Sequence, residues 1–264
     1  MTLDLGAVWL LGCGNMGGAM LRRWIAAGMP PGRVTVVTRT ERALPDGVRW
    51  SPSLPTGSLD VLLLAVKPQQ LDAVAPALAA VRPALLLSIL AGVEERALGE
   101  RCEAGAIVRA MPNLPVAIGR GVTALRSASA DAAARVTAEA LCAPLGHHEW
   151  IADEALFDAV TALAGSGPAF LFRFADALAR AGEALGLPEE QARRLALATV
   201  EGSAIMAAAS DEPPAALADR VASPGGSTRR GLDVLDRDDA LLRLLTETLA
   251  ASERRNREMA AAAR

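Results

Sequence analysis

Two short stretches of this sequence combine residue types that could do chemistry: GCGNMG at 12–17 and SPGGST at 223–228. The first follows an apolar run and opens a helix-like segment, the context in which a GxGxxG turn receives a dinucleotide. Gly12 allows the tight turn, Gly14 lets the backbone approach a pyrophosphate, and Gly17 lets the helix pack on a sheet. With Cys13, Asn15 and Met16 they would set unpaired N–H groups and a positive helix end against the phosphates. In the second stretch Pro224 ends a helix, while Gly225 and Gly226 permit positive φ and close backbone approach. Ser223 precedes them, and Ser227 and Thr228 open the next helix with free N–H groups and two hydroxyls, a small anion site. Taken alone, the same residues also make an ordinary loop between helices.

Other residues extend the first site. Roughly twenty residues beyond a glycine turn, an NAD-binding domain places Asp or Glu against the ribose hydroxyls. Here the strand VTVV (34–37) runs instead into Thr38, Arg39 and Thr40, with Arg42 close behind. Hydroxyls and a guanidinium welcome a 2′-phosphate that a carboxylate would repel, so NADPH is favoured and NADH stays open. Solvated loop arginines are the plain alternative. Ala65, Val66, Lys67 and Pro68 of AVKPQ end the third apolar run, on the carboxyl edge where such sheets bind ligands. Lys67 is the only lysine among 27 basic residues. Either its side chain or only its backbone would face a cofactor.

No acid–base machinery accompanies these stretches. The only histidines, His147 and His148, are adjacent near an expected strand and read as a surface edge; tyrosine is absent. No Ser/His/Asp set or metal-ligand spacing is present, so no metal is expected. Reducing a ketone calls for a positioned proton donor, because the alkoxide formed is strongly basic. An iminium carbon is already electrophilic and yields a neutral amine, so orientation, hydrogen bonding and exclusion of water suffice.

Bulk properties exclude several classes. A net charge of −3 is too small to imply a nucleic-acid or anionic membrane partner. Three unpaired, widely spaced cysteines point to a reducing compartment, taken as the cytoplasm. The first residues lack a basic region before their short apolar run, so no signal peptide is expected. No run of 18 uninterrupted apolar residues occurs, so no membrane span is expected either.

The elements that must position these residues follow from periodicity. AVWLL (7–11), VTVV (34–37), VLLLAV (61–66), ALLLSI (84–89) and IVRAM (107–111) are continuous apolar runs, as in parallel strands buried on both faces. Helices are expected at 15–27, 69–80 and 94–102, with two further strands at 122–125 and 147–151 around a helix at 130–142. Three prolines and two glycines between 45 and 57 leave the second crossover irregular. From about 153 the chain reads as helix. Residues 170–185 are apolar or small on nearly every face, the pattern of a helix buried all round. The expected fold is a Rossmann-type doubly wound α/β sheet over 1–151, followed by an all-α dimerisation and substrate domain over 152–264.

GCGNMG, AVKPQ, SILAGV (88–93), RAMPNLP (109–115), ALAGSGPAF (162–170) and VASPGGSTRRGL (221–232) together resemble the Δ1-pyrroline-5-carboxylate reductase family, in order and near its spacing. The resemblance spans the whole chain, and its SPGG-Ser/Thr-Thr segment is the most diagnostic. It implies reduction of a cyclic imine to L-proline with NAD(P)H, the last step of proline biosynthesis. It also implies dimers interlocked through C-terminal helices and assembled into decamers, with substrate between one nucleotide domain and the partner's helices. By resemblance, Ser223, Gly225, Gly226, Ser227 and Thr228 hold the substrate, and the Thr228 hydroxyl faces the imine nitrogen as the catalytic group. Ser166 matches a substrate-side position, Ala91, Gly92 and Asn113 match positions at the nicotinamide end, and Glu154 a cofactor-side glutamate. Leu114 and Phe170 depart from the family's usual threonine and tyrosine, and the 41–59 segment is shortened. Alternatives are a related imine reductase, a hydroxyacid dehydrogenase, which would want a lysine in the second half, or a catalytically silent nucleotide-binding protein.

Overall fold

A computed structural model describes residues 6–262. Eight strands form one sheet: β1 (Val8–Leu11), β2 (Val34–Val37), β3 (Arg49–Ser51), β4 (Gly57–Leu64), β5 (Val81–Ser88), β6 (Ala106–Pro112), β7 (Gly121–Arg126) and β8 (Gly146–Trp150). Their order is β3-β2-β1-β4-β5-β6-β7-β8, with every pair parallel except β6–β7. The direction of the chain along the sheet reverses between β1 and β4, which opens the crevice where doubly wound sheets bind dinucleotides.

The continuous apolar runs are explained by two covering layers. Val8, Leu10, Val61 and Leu63 face α1 (Asn15–Ala26), whose Met20, Leu21 and Trp24 are fully buried. Leu62 and Leu64, one residue out of phase, face α2 (Leu71–Ala79) and α3 (Glu95–Gly99) through Leu71, Leu78 and Leu98. The helix α4 (Ala132–Cys142) shares the first layer, and the Trp24 indole donates to Leu141 O at 2.7 Å.

Two features depart from the pattern read along the sequence. The irregular second crossover contains β3, which extends the sheet by a short edge strand beside β2. The strands β6 and β7 are antiparallel, a direction that apolar periodicity does not encode.

Beyond β8 the chain is helical: α5 (Phe157–Val160), a π turn over Thr161–Gly165, α6 (Gly167–Ala184), α7 (Glu189–Ala208), α8 (Pro214–Val221), α9 (Ser227–Asp236) and α10 (Ala240–Ala262). Two compact units result. One contains the sheet, runs to Ser166 and takes in the chain from Ser252 onward; the other is Gly167–Ala251. This division does not follow the change of pattern at 151–152, because α5 and the π turn lie with β6 and β7.

The helix α6 is not buried all round. Only Ala175 and Ala179 are buried, whereas Leu171, Phe172 and Phe174 are 59%, 59% and 48% exposed. A helix apolar on most faces needs a cover, and a single chain does not supply it here. Among the described residues one helical run, Glu154–Ala184, is long and apolar enough to cross a membrane by length and composition alone. Its second half carries Arg173, Asp176, Arg180 and Glu183.

Candidate functional site

The glycine turn sits where β1 ends. Gly12 has φ +90°, and a Cβ there would lie 2.7 Å from the Ala65 carbonyl oxygen at the end of β4. Only glycine permits that conformation and that approach. Gly14 caps α1 without a side-chain bond, and a Cβ there would meet nothing within 4 Å. An uncapped helix end, bare backbone and open space form a cradle that fits a pyrophosphate. Arg42 Nη1 donates to Cys13 O at 3.4 Å, which puts a guanidinium beside this turn. Burial pushes the Cys13 thiol up, against the pull of Arg42 and Arg22, so it stays protonated at neutral pH.

The turn after β2 is organised by the edge strand. Trp50 of β3 donates its indole N–H to Thr38 O at 3.2 Å and Thr38 Oγ1 at 3.1 Å, and Thr38 Oγ1 donates onward to Thr40 O at 2.9 Å. Arg39 stands exposed between the two threonines. Trp50 was not among the residues singled out by sequence. Its signal was a lone tryptophan in a stretch otherwise rich in proline and glycine.

Lys67 lies exposed at the carboxyl edge of the sheet, after Ala65 and Val66 and just before the 3₁₀ turn Pro68–Gln70. Its backbone N–H donates to Gln70 Oε1 at 3.2 Å. Ala91 and Gly92 form the turn after β5, with Gly92 at φ +73°. Asn113, at the end of β6, ties two segments together. Its Oδ1 accepts from Val122 N at 2.8 Å, and its Nδ2 donates to Ala164 O in the π turn at 2.9 Å. That turn ends at Ser166, whose N–H reaches back five residues to Thr161 O and whose hydroxyl lies 3.1 Å from Ser252 Oγ. Single π turns of this kind recur at functional sites.

Glu154 is held in an ion-pair cluster. Arg109 of β6 donates to it directly, and Arg126 Nε of β7 lies 3.5 Å from its other oxygen. Arg109 is 5% exposed and stacks on the Phe157 ring at 4.3 Å. Burial lowers its pKa, opposed by Asp158, Glu94 and Glu95. The carboxylate expected on the cofactor side is therefore engaged by two arginines of the sheet, a pairing the sequence reading missed. RAMPNLP contains the arginine that would have suggested it.

The second stretch lies in the helical unit. Gly225 has φ +73°, Gly226 N donates to Ser223 O at 2.9 Å, and a Cβ on Gly226 would lie 2.6 Å from Ser223 Oγ. Gly226 caps α9 without a side-chain bond, so Ser227 and Thr228 occupy the open first turn, both exposed. The structure thus groups the glycine turn, Thr38, Arg39, Ala65–Pro68, Ala91, Gly92, Asn113, Glu154 and Ser166 in the sheet-containing unit, and Ser223–Thr228 in the other.

Known proteins resemble both parts. Residues 154–259 match the family model described as pyrroline-5-carboxylate reductase dimerisation, and residues 7–92 match NADP oxidoreductase, coenzyme F420-dependent. The pyrroline-5-carboxylate reductase of Synechocystis is 38% identical over 98% of this chain and 99% of its own. A structure of the enzyme from Coxiella burnetii superposes with TM-score 0.85 at 30% identity, covering 96% of this chain and 98% of that one. The Plasmodium falciparum pyrroline carboxylate reductase, solved with NADP bound, superposes with TM-score 0.81 at 26% identity over the same shares. The second half is accordingly a dimerisation region, and the chain forms a homo-oligomer. With its glycine turn, its serine–threonine helix start and this likeness over nearly its full length, the chain belongs to the pyrroline-5-carboxylate reductase family.

Proposed function

We propose that this protein reduces Δ1-pyrroline-5-carboxylate to L-proline, the last step of proline biosynthesis. The observation that carries the reading is the end-to-end likeness to the Synechocystis reductase. NADPH, when bound, supplies the hydride that the C=N carbon accepts. The backbone of Gly12–Gly17 and the start of α1 hold its pyrophosphate; Thr38 and Arg39 hold its 2′-phosphate. Ala65–Pro68, Ala91, Gly92, Asn113 and Glu154 belong to the same cofactor side, Asn113 and Glu154 through the segments they tie. Ser223–Thr228 hold the substrate carboxylate and ring nitrogen, with Ser166 on the substrate side. The Thr228 hydroxyl hydrogen-bonds the ring nitrogen, which is already protonated in the iminium and becomes a neutral ring amine when the carbon accepts hydride, so no alkoxide has to be protonated.

Residues 1–151 serve as the dinucleotide domain and 152–264 as the dimerisation and substrate domain. The exposed apolar residues of α6 support a dimer interlocked through its helices; its further assembly into a decamer rests on the family resemblance. Such a protein works in the cytoplasm.

The test follows NADPH absorbance with pyrroline-5-carboxylate and, separately, NADP+ with a hydroxyacid. Turnover of the imine alone is expected; activity on the hydroxyacid alone, or none, overturns the reading. Two variants probe the cofactor side. Arg39→Asp is expected to raise KM for NADPH about 10- to 100-fold, the value of a charge-assisted bond plus repulsion, and to leave NADH within a few-fold. Equal losses would show that Arg39 does not read the 2′-phosphate. Trp50→Phe removes the donor that fixes Thr38 and is expected to raise KM for NADPH roughly threefold to tenfold, again sparing NADH. An unchanged NADPH/NADH ratio would confine Trp50 to edge-strand stability.

A further inference from the structure

The substrate loop is flanked by α8 and α9, and one side chain joins them. Arg229 is the third residue of α9, next to Thr228, and its side chain is 31% exposed. Its Nε lies 3.0 Å from Asp233 Oδ1 and its Nη2 2.8 Å from Asp236 Oδ2, both on α9. Its Nη1 lies 3.3 Å from Asp219 Oδ1, on α8 before the loop. Among the described residues this last contact is the side-chain hydrogen bond that links the two helices.

Helix stability does not account for the residue. A cation in the first turn opposes the helix dipole, and arginine before aspartate is the less favourable order at i,i+4 spacing. Direct binding of the substrate carboxylate does not account for it either, since each guanidinium nitrogen already faces a carboxylate. What remains is geometry. The planar fork sends its donors in fixed directions, so engaging Asp233 and Asp236 on one helix leaves Nη1 aimed at the other.

We propose that Arg229 is a positioning residue for the substrate loop, holding α8 against α9 so that the start of α9 keeps the arrangement that receives the imine and its carboxylate. This rests on the substrate role proposed for Ser223–Thr228. The loop is short and glycine-rich, with Gly225 at φ +73°, so its own backbone does little to hold the angle between its flanks. A displacement of about an ångström takes the N–H groups and hydroxyls at the start of α9 out of good hydrogen-bond geometry with the substrate carboxylate, which weakens imine binding.

The experiment compares Arg229→Met, Arg229→Lys, Asp219→Ala and Thr228→Ala in the full-length protein, varying pyrroline-5-carboxylate and NADPH separately. Asp219→Ala severs the inter-helix arm at an exposed site and carries the test alone if Arg229→Met fails to fold. Arg229→Met and Asp219→Ala are expected to raise KM for the imine about tenfold, with KM for NADPH within twofold, and Arg229→Lys to fall between them and wild type. Unchanged imine KM in Asp219→Ala, beside an impaired Thr228→Ala, overturns the positioning role and leaves the loop's substrate role standing. Equal rises for imine and NADPH overturn it too, as the mark of a general loss of structure. If Thr228→Ala is itself unimpaired, the substrate role of the loop falls, and the role of Arg229 with it.

Discussion

Thr228→Ala is expected to lower kcat for pyrroline-5-carboxylate reduction by about 10²-fold while leaving the dissociation constant of NADPH unchanged. The substitution deletes one hydroxyl from the exposed first turn of α9, in the helical unit, whereas the glycine turn belongs to the sheet-containing unit. Its effect therefore falls on the reacting imine. The hydroxyl holds the ring nitrogen, and with it the carbon that takes hydride, so its loss costs orientation at the reacting centre. Alanine is a good helix former, so loss of the helix does not confuse the result. Thr228→Ser, which keeps the hydroxyl, is expected to retain most of the activity. Steady-state kinetics together with a fluorescence titration of NADPH decide the matter; full turnover in Thr228→Ala would take the residue out of the mechanism.

Glu154→Ala is expected to cost about 3 kcal/mol of folding stability, the lower end of the range for removing one partner of a buried ion pair. The variant removes the carboxylate to which Arg109, 5% exposed, donates, leaving Asp158, Glu94 and Glu95 as its remaining anions and Arg126 beside the same gap. A buried guanidinium loses hydration on folding, and only a facing anion offsets that loss. Glu154→Gln keeps an oxygen that can accept from Arg109 and is expected to lose about half as much, because only the charge is gone. Urea unfolding at one fixed protein concentration measures both, since oligomer dissociation otherwise contributes. KM for NADPH, read on the same variants, separates the two roles assigned to this residue. A rise beyond a few-fold at a temperature where the variant remains folded would place Glu154 on the cofactor side as well as in the cluster. Stability within 0.5 kcal/mol of wild type would mean that Arg109 is satisfied by other groups, about the range of an ordinary surface change.

The apolar cover of α6 links stability to assembly. Leu171, Phe172 and Phe174 stand exposed on a helix that the dimerisation model spans. An oligomer that covered them would make part of the stability of the helical unit depend on protein concentration.

Local chemistry made much of this protein legible before any coordinates. VTVV, VLLLAV and ALLLSI, short apolar runs between turn residues, fit strands covered on both faces, because neither face of such a run favours water. The glycine turn was equally readable: φ +90° at Gly12 and its approach to Ala65 O are backbone demands that one residue type meets. SPGGST was readable as a break with a new helix start, since proline, glycine and hydroxyl residues each do one local thing there. The tertiary structure decided what depends on partners distant in the chain. The antiparallel direction of β7, the edge strand that brings Trp50 to Thr38, the pairing of Glu154 with Arg109 across 45 residues and the reach of Arg229 to Asp219 are all of this kind. The same division explains α6, whose apolar pattern called for burial that this chain by itself does not supply. Periodicity and turn chemistry act over a few residues. Ion pairs, strand direction and interfaces are settled by which surfaces meet once the layers close.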